Sequence, residues 1–135
     1  MSTYLLDANV VIALTVQEHE HHALASAWFA QDVRTAYLCP IVEGALLRFL
    51  VRVGEAPSTA FALLDALHDH PTVEFRGEAL SYRDIDRGEV RGYRQLTDAY
   101  LVALAGSLGA VLATFDRGLA QHHPSTTLLL GSEPE

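Results

Sequence analysis

Four acidic residues occupy one kind of place in this chain. Asp7 follows the apolar run TYLL, and Asp116 comes just after the apolar run AVLAT. Glu43 falls in the first turn of the helix predicted after TAYLC, and Asp98 opens the helix predicted over TDAYLVALAGSLG. In an open α/β sheet, strand C-termini and the helix starts that follow them share one edge, where a ligand crevice forms. Taken singly, Asp7, Asp98 and Asp116 read as helix caps and Glu43 as an ordinary first-turn acid. Taken together they raise an electrostatic question, because both Asp7 and Asp116 end apolar strands. Two unit charges ~4 Å apart repel by about 4 kcal/mol even at an effective dielectric near 20. A gathered set must therefore take up protons or hold a cation. No lysine exists to neutralise it, and the basic residue nearest in sequence is Arg117. Carboxylate oxygens with no cysteine nearby suit Mg²⁺ or Mn²⁺. Such an ion binds phosphate oxygens, acidifies a bound water and stabilises charge on a leaving oxygen. That is apparatus for phosphodiester hydrolysis.

The elements that would position these acids alternate. Strands are predicted at STYLL, TAYLC, TVEF, AVLAT and TTLLLG. Helices are predicted at ANVVIALTV, HHALASAWFA, IVEGALLRFLVRV, STAFALLDALHDH, TDAYLVALAGSLG and DRGLAQHH. In the helix that carries Glu43, Ile41, Ala45, Leu46, Phe49, Leu50 and Val53 form one apolar face, with Pro40 at its start and Gly54 and Pro57 beyond its end. Thr97 is the expected N-cap of the Asp98 helix and Gly109 its stop. Alternation of this kind predicts an α/β sandwich around a mostly parallel sheet.

Composition sets the bounds. A chain of 135 residues, half of them hydrophobic, is expected to form one domain. The expected boundaries are 1–130, with a polar tail over 131–135. No apolar run is long enough to span a membrane, and the N-terminus lacks a basic, signal-like start. A lone cysteine, Cys39, fits a reducing compartment and inert packing. The expected location is the cytoplasm. The net charge of −8 argues against attachment to nucleic acid by bulk charge. Between Arg76 and Arg94, however, five arginines (76, 83, 87, 91, 94) meet four acids (Glu78, Asp84, Asp86, Glu89). This stretch reads as a solvated, salt-bridged loop or short helix. Its sharper reading is a strip for a polyanion, with Tyr82 and Tyr93 available for stacking.

The segments YLLDANVVIAL, CPIVEGALLRFL, TDAYLVALA and LATFDRGL together resemble the PIN-domain ribonucleases, and more narrowly the VapC toxins of bacterial toxin–antitoxin pairs. The likeness runs in order over nearly the whole chain. It implies a PIN-like α/β/α sandwich with a four- to five-stranded mostly parallel sheet. It also implies Mg²⁺-dependent endonucleolytic cleavage of RNA, neutralisation by a cognate VapB-type antitoxin, and a homodimer. Carried over position by position, the acidic quartet is Asp7, Glu43, Asp98 and Asp116, both as metal ligands and as catalytic groups. Asn9 and Thr114 match supporting polar positions that would hold carboxylates or water. RNA-binding residues are not indicated.

Two other functions are weighed against this one. A metal-dependent phosphatase of the haloacid-dehalogenase type also puts an Asp after its first strand, but expects a second acid where Asn9 stands, and a lysine. A catalytically inactive PIN-like scaffold is expected to have lost an acid. Elsewhere, HEHH at 19–22 reads as a solvated helix terminus rather than a metal site. His68, His70, His122 and His123 sit near helix ends, where dipole contacts explain them. Arg48 and Arg52 read as a solvated face or a meeting point for an acidic segment.

Overall fold

The structure is a computed structural model in which residues 3–77 and 80–131 are described. Five strands, β1 (Thr3–Leu6), β2 (Thr35–Leu38), β3 (Val73–Phe75), β4 (Val111–Thr114) and β5 (Thr127–Leu129), form one sheet in the order β3-β2-β1-β4-β5. Every pairing is parallel, with Leu5 opposite both Tyr37 and Leu112. Six helices join them: α1 (Ala8–Thr15), α2 (His22–Asp32), α3 (Pro40–Arg52), α4 (Pro57–Asp69), α5 (Arg94–Ser107) and α6 (Arg117–His122). Two short 3₁₀ turns, Tyr82–Asp84 and Arg87–Glu89, lie between β3 and α5. The mostly parallel sheet expected from the sequence is wholly parallel.

Burial explains why the central strands carry unbroken apolar runs. Leu5 and Leu6, adjacent in β1, are both buried, as are Leu112, Ala113 and Thr114 in β4. Consecutive side chains point to opposite faces, so both faces of these strands are covered, as a parallel sheet requires. Connection handedness then fixes where the helices go. β1→β2→β3 steps outward in one direction, whereas β3→β4→β5 steps back across the sheet and outward in the other. Right-handed crossovers therefore put α1–α4 on one face and α5–α6 on the other. The contacts agree: α1 packs on α2 and α3, and α3 on α4, while α5 packs on β1 and β4 and α6 on β5. The direction reverses between β1 and β4. Their C-terminal ends define the switch point at which a crevice opens.

Two local expectations are corrected. The buried stripe of α3 is Val42, Leu46 and Leu50, while Ile41, Ala45 and Phe49 are half-buried. Val53 caps the helix end and is 58 % exposed, because the chain turns there through Gly54 at φ 109°. Helix α5 starts at Arg94, three residues before Thr97, so Asp98 lies in its second turn instead of opening it. The cause is Gln95, whose Oε1 accepts from the backbone N–H groups of Arg91 (3.2 Å) and Gly92 (2.9 Å) and fixes the entry. The C-terminal stop is as expected. Gly109 takes φ 67°, and Ala110 N–H donates to Ala105 C=O at 2.8 Å, which closes the helix with a Schellman turn.

No described helix is long and apolar enough to cross a membrane. Cys39 is buried between β2 and α3, and burial raises its thiol pKa, so it packs inertly. Of the tail expected at 131–135, residues 132–135 lie outside the described residues, as does Glu78.

Candidate active site

Asp7 leaves β1 and enters α1, at the switch point. It is 8 % exposed, and an ionised carboxylate there needs partners. It has two. Oδ1 accepts from Ala8 N–H at 2.8 Å, capping α1, and Oδ2 accepts from the Thr114 hydroxyl at 2.7 Å. Thr114, the last residue of β4, is fully buried. Its oxygen also accepts from Asp116 N–H (3.0 Å) and Asn9 Nδ2 (3.3 Å). Asn9 completes the weave, its Oδ1 accepting from Phe115 N–H at 3.1 Å. The hydroxyl of Thr114 thus ties β1, α1 and the turn after β4 into one rigid knot, with Asp7 at its centre.

Asp116 caps α6 through Oδ1, which accepts from Leu119 N–H at 3.1 Å. The capping reading is therefore right for Asp7 and Asp116. It does not exclude a second role, because one cap bond leaves carboxylate lone pairs over. Asp98 caps nothing. Half-buried on α5, it has its pKa pushed up to about 6, first by burial and then by the charges of Asp7 and Asp116. Asp7 is raised as well, chiefly by burial, which outweighs its hydrogen bonds, with Asp116 adding to it. Asp98 thus feels the charges of Asp7 and Asp116, and Asp7 that of Asp116, across three separated segments.

Glu43 stands on the other flank, in the first turn of α3, where it and Asp7 both act on the Cys39 thiol. Its carboxylate is held by the Nε2 of His68, from α4. His68 sits in the last turn of α4, at a helix end as expected, and the bond to Glu43 is a further role that the sequence did not indicate. His68 is the C-terminal-turn residue of α4 that reaches Glu43, and its ring also lies 5.5 Å from that of Phe75. The two residues are 25 apart in the chain, and no local pattern signals the pair. As the side chains lie, no group of three acids, histidines or cysteines among the described residues surrounds a common point where an ion could sit.

The other histidines are absorbed structurally. His22 Nδ1 meets Ala13 C=O at 2.8 Å, and His21 stacks on Phe115 with ring centroids 4.6 Å apart. His122 Nδ1 meets Gly118 C=O at 2.8 Å. Beside the acids, a cleft of about 390 Å³ opens between the start of α5 and α6, with Asp98 and Asp116 in its wall together with Arg91, Arg94, His122 and His123.

The comparisons with known proteins agree with this architecture. The PIN domain family profile matches residues 4–123. The chain is 43 % identical over 128 residues to Ribonuclease VapC29 of Mycobacterium tuberculosis, covering 95 % of this chain and 96 % of that protein. It is 36 % identical over 135 residues to Ribonuclease VapC38 of the same species, covering 93 % and 96 %. The chain therefore belongs to the PIN-domain family, among the VapC toxins. Among solved structures, M. tuberculosis VapC20, a Sarcin-Ricin loop cleaving toxin, superposes with a TM-score of 0.70 at 17 % identity, over 89 % of this chain and 95 % of that one. VapBC2 of Rickettsia felis, bound to a DNA fragment from its promoter, superposes at 0.63 and 15 % identity, over 94 % and 96 %.

Two outcomes are expected from this geometry. Thr114→Val keeps the volume but strips Asp7 Oδ2 of its donor and leaves Asp116 N–H and Asn9 Nδ2 without an acceptor. It should destabilise the protein by roughly 1–3 kcal/mol at neutral pH, read by urea unfolding; an unchanged midpoint contradicts the knot. Asp98, raised in the folded state, binds its proton more tightly there than in the unfolded chain. Its contribution is full below the unfolded value near 3.8 and lost as pH rises through about 6. In chelator, the metal-free protein should lose stability over that window, and Asp98→Asn should flatten the loss; identical profiles contradict it.

Proposed function

We propose that this chain is a divalent-metal-dependent endoribonuclease, the toxin of a toxin–antitoxin pair. The observation that supports the reading is that burial raises both Asp7 and Asp98 beside the switch point, with the charges of Asp7 and Asp116 adding to the rise at Asp98 and that of Asp116 to the rise at Asp7. Keeping such groups together opposes stability, and a scaffold has no use for them. A cation relieves the repulsion.

The donor set fits a hard ion. All the candidate ligands are carboxylate oxygens, and Mg²⁺ prefers one or two carboxylates with retained waters to a closed protein cage. The absence of a ready three-ligand cluster among the described residues is compatible with that preference. Asp7 and Asp98 would hold the ion, with Glu43 and Asp116 completing the site. When bound, Mg²⁺ or Mn²⁺ supplies an acidified water and neutralises charge on the leaving oxygen. The chain's own groups do the rest. Thr114 donates to Asp7 and keeps its carboxylate oriented, Asn9 anchors the turn carrying Asp116, and Asp116 or Glu43 takes the proton of the attacking water. His68 orients Glu43. The likeness to the VapC ribonucleases supports RNA as substrate, and that to VapBC2 supports a VapB-type antitoxin as neutralising partner. A homodimer working in the cytoplasm is part of the same reading.

Asp7→Asn and Asp98→Asn should each retain the fold by circular dichroism and lose at least about a hundredfold of Mg²⁺-dependent cleavage of total RNA, the scale expected when charge stabilisation at a reacting centre is removed. EDTA should abolish wild-type cleavage, and Mg²⁺ should restore it. Cleavage undiminished by the chelator, or by either substitution, contradicts the assignment.

A further inference from the structure

The cleft beside the carboxylates has a wall of opposite sign. Arg91 and Arg94 line it together with Asp98 and Asp116. The sequence reads Arg76–Arg94 as a solvated, salt-bridged loop or short helix, and two short 3₁₀ turns lie in it, while the side chains of two of its acids, Glu78 and Glu89, lie outside those described. Arg76 pairs with Glu74 at 3.8 Å, but among the described residues no carboxylate pairs with Arg83, Arg87, Arg91 or Arg94. Arg87 instead donates to Arg83 C=O at 2.9 Å, and Arg94 lies along the ring of Tyr93, 5.7 Å from its centroid. In a chain of net charge −8, two guanidinium groups that line a cleft and form no ion pair among the described residues stand ready for an anion. The two tyrosines of the stretch also differ. Tyr82 is stacked on Tyr100, with centroids 4.6 Å apart, whereas Tyr93 is 78 % exposed at the mouth of α5, between the two arginines in sequence.

We infer that Arg91 and Arg94 form the phosphate-binding wall of the path by which single-stranded RNA reaches the carboxylates, with Tyr93 as the platform on which an unpaired base stacks. The inference rests on the proposed ribonuclease activity and deepens it, naming the strand form and the residues that hold it. A polynucleotide suits the cleft better than an acidic peptide. A substrate cleaved at Asp98 and Asp116 must run past them, and its neighbouring phosphates then fall along the same wall. An acidic peptide would gain the arginines but set its carboxylates against two more. Arginine forks bind phosphate oxygens in pairs, and aromatic faces take any base, a combination suited to single strands. Arg91 and Arg94 are thus positioning residues, acting on binding and not on the bond that breaks.

The test separates binding from cleavage. Asp7→Asn, whose side chain does not line the cleft, is used as a cleavage-silent background with Mg²⁺ present. Fluorescence anisotropy follows a labelled single-stranded RNA of mixed sequence, its duplex, and a polyglutamate peptide over a series of salt concentrations. Adding Arg91→Ala and Arg94→Ala should weaken single-strand binding at least tenfold and flatten the slope of log K against log salt by about 1.4, two phosphates at ~0.7 each. Arg→Lys at both positions should restore the slope. Tyr93→Ala should weaken single-strand binding about tenfold, leave the slope unchanged and spare duplex binding. In the otherwise wild-type enzyme the arginine changes should raise KM with kcat retained. Unchanged affinity and slope, preference for the duplex, or binding of polyglutamate in place of RNA each overturns the inference. Absence of any Mg²⁺-dependent RNA cleavage by the wild-type chain is a different result, and it strikes the ribonuclease reading itself.

Discussion

The structure depends on one hydrogen bond, from the Thr114 hydroxyl to the buried carboxylate of Asp7. It joins the ends of the two central strands at the point where the sheet changes direction. It lets a charge sit where hydrophobic packing alone would expel it. The bond is compensation, not relief, because burial still outweighs it and holds the Asp7 pKa up. A second carboxylate, Asp98, is brought close from the far face of the sheet, and a third, Asp116, is fixed by its cap on α6. The fold thus concentrates negative charge at its switch point and leaves it incompletely neutralised. Among the described residues no basic side chain pairs with these three carboxylates.

The geometry around the knot divides the labour. The β1–α1 and β4–α6 turns are over-determined by hydrogen bonds between Asp7, Asn9, Thr114 and Asp116, so these positions are rigid before any ligand arrives. Glu43 has a different support, a histidine on α4. Arg91 comes from the irregular backbone before α5 and Arg94 from the first turn of α5, where Gln95 sets the helix entry.

What was legible in the sequence followed from short-range signals. Apolar runs ended by Asp7 and Asp116 marked strand ends, the Pro40 start and the Gly109 stop bounded helices, and their alternation implied the parallel sheet. What was not legible depended on contacts between distant segments. Thr97 looked like a cap because only its own type was visible, whereas the helix start was decided by the Gln95 side chain reaching back to Arg91 and Gly92. His68 looked like an ordinary helix-end histidine because Glu43 is far from it along the chain. The arginine-rich stretch looked self-neutralising because the sign of a charge can be read from sequence and its partner cannot. The β4–α6 cleft that two of those arginines face is a product of tertiary packing alone.

The central claim is that these carboxylates hold a divalent cation, and its most direct measurement is calorimetric titration of Mg²⁺ into the purified chain without RNA. The account predicts saturable binding by the wild type that is lost or weakened at least about tenfold in Asp98→Asn, with the far-ultraviolet circular dichroism unchanged. Mg²⁺ binding of equal strength in wild type and variant, or none in a wild-type chain that still cleaves RNA, would contradict it.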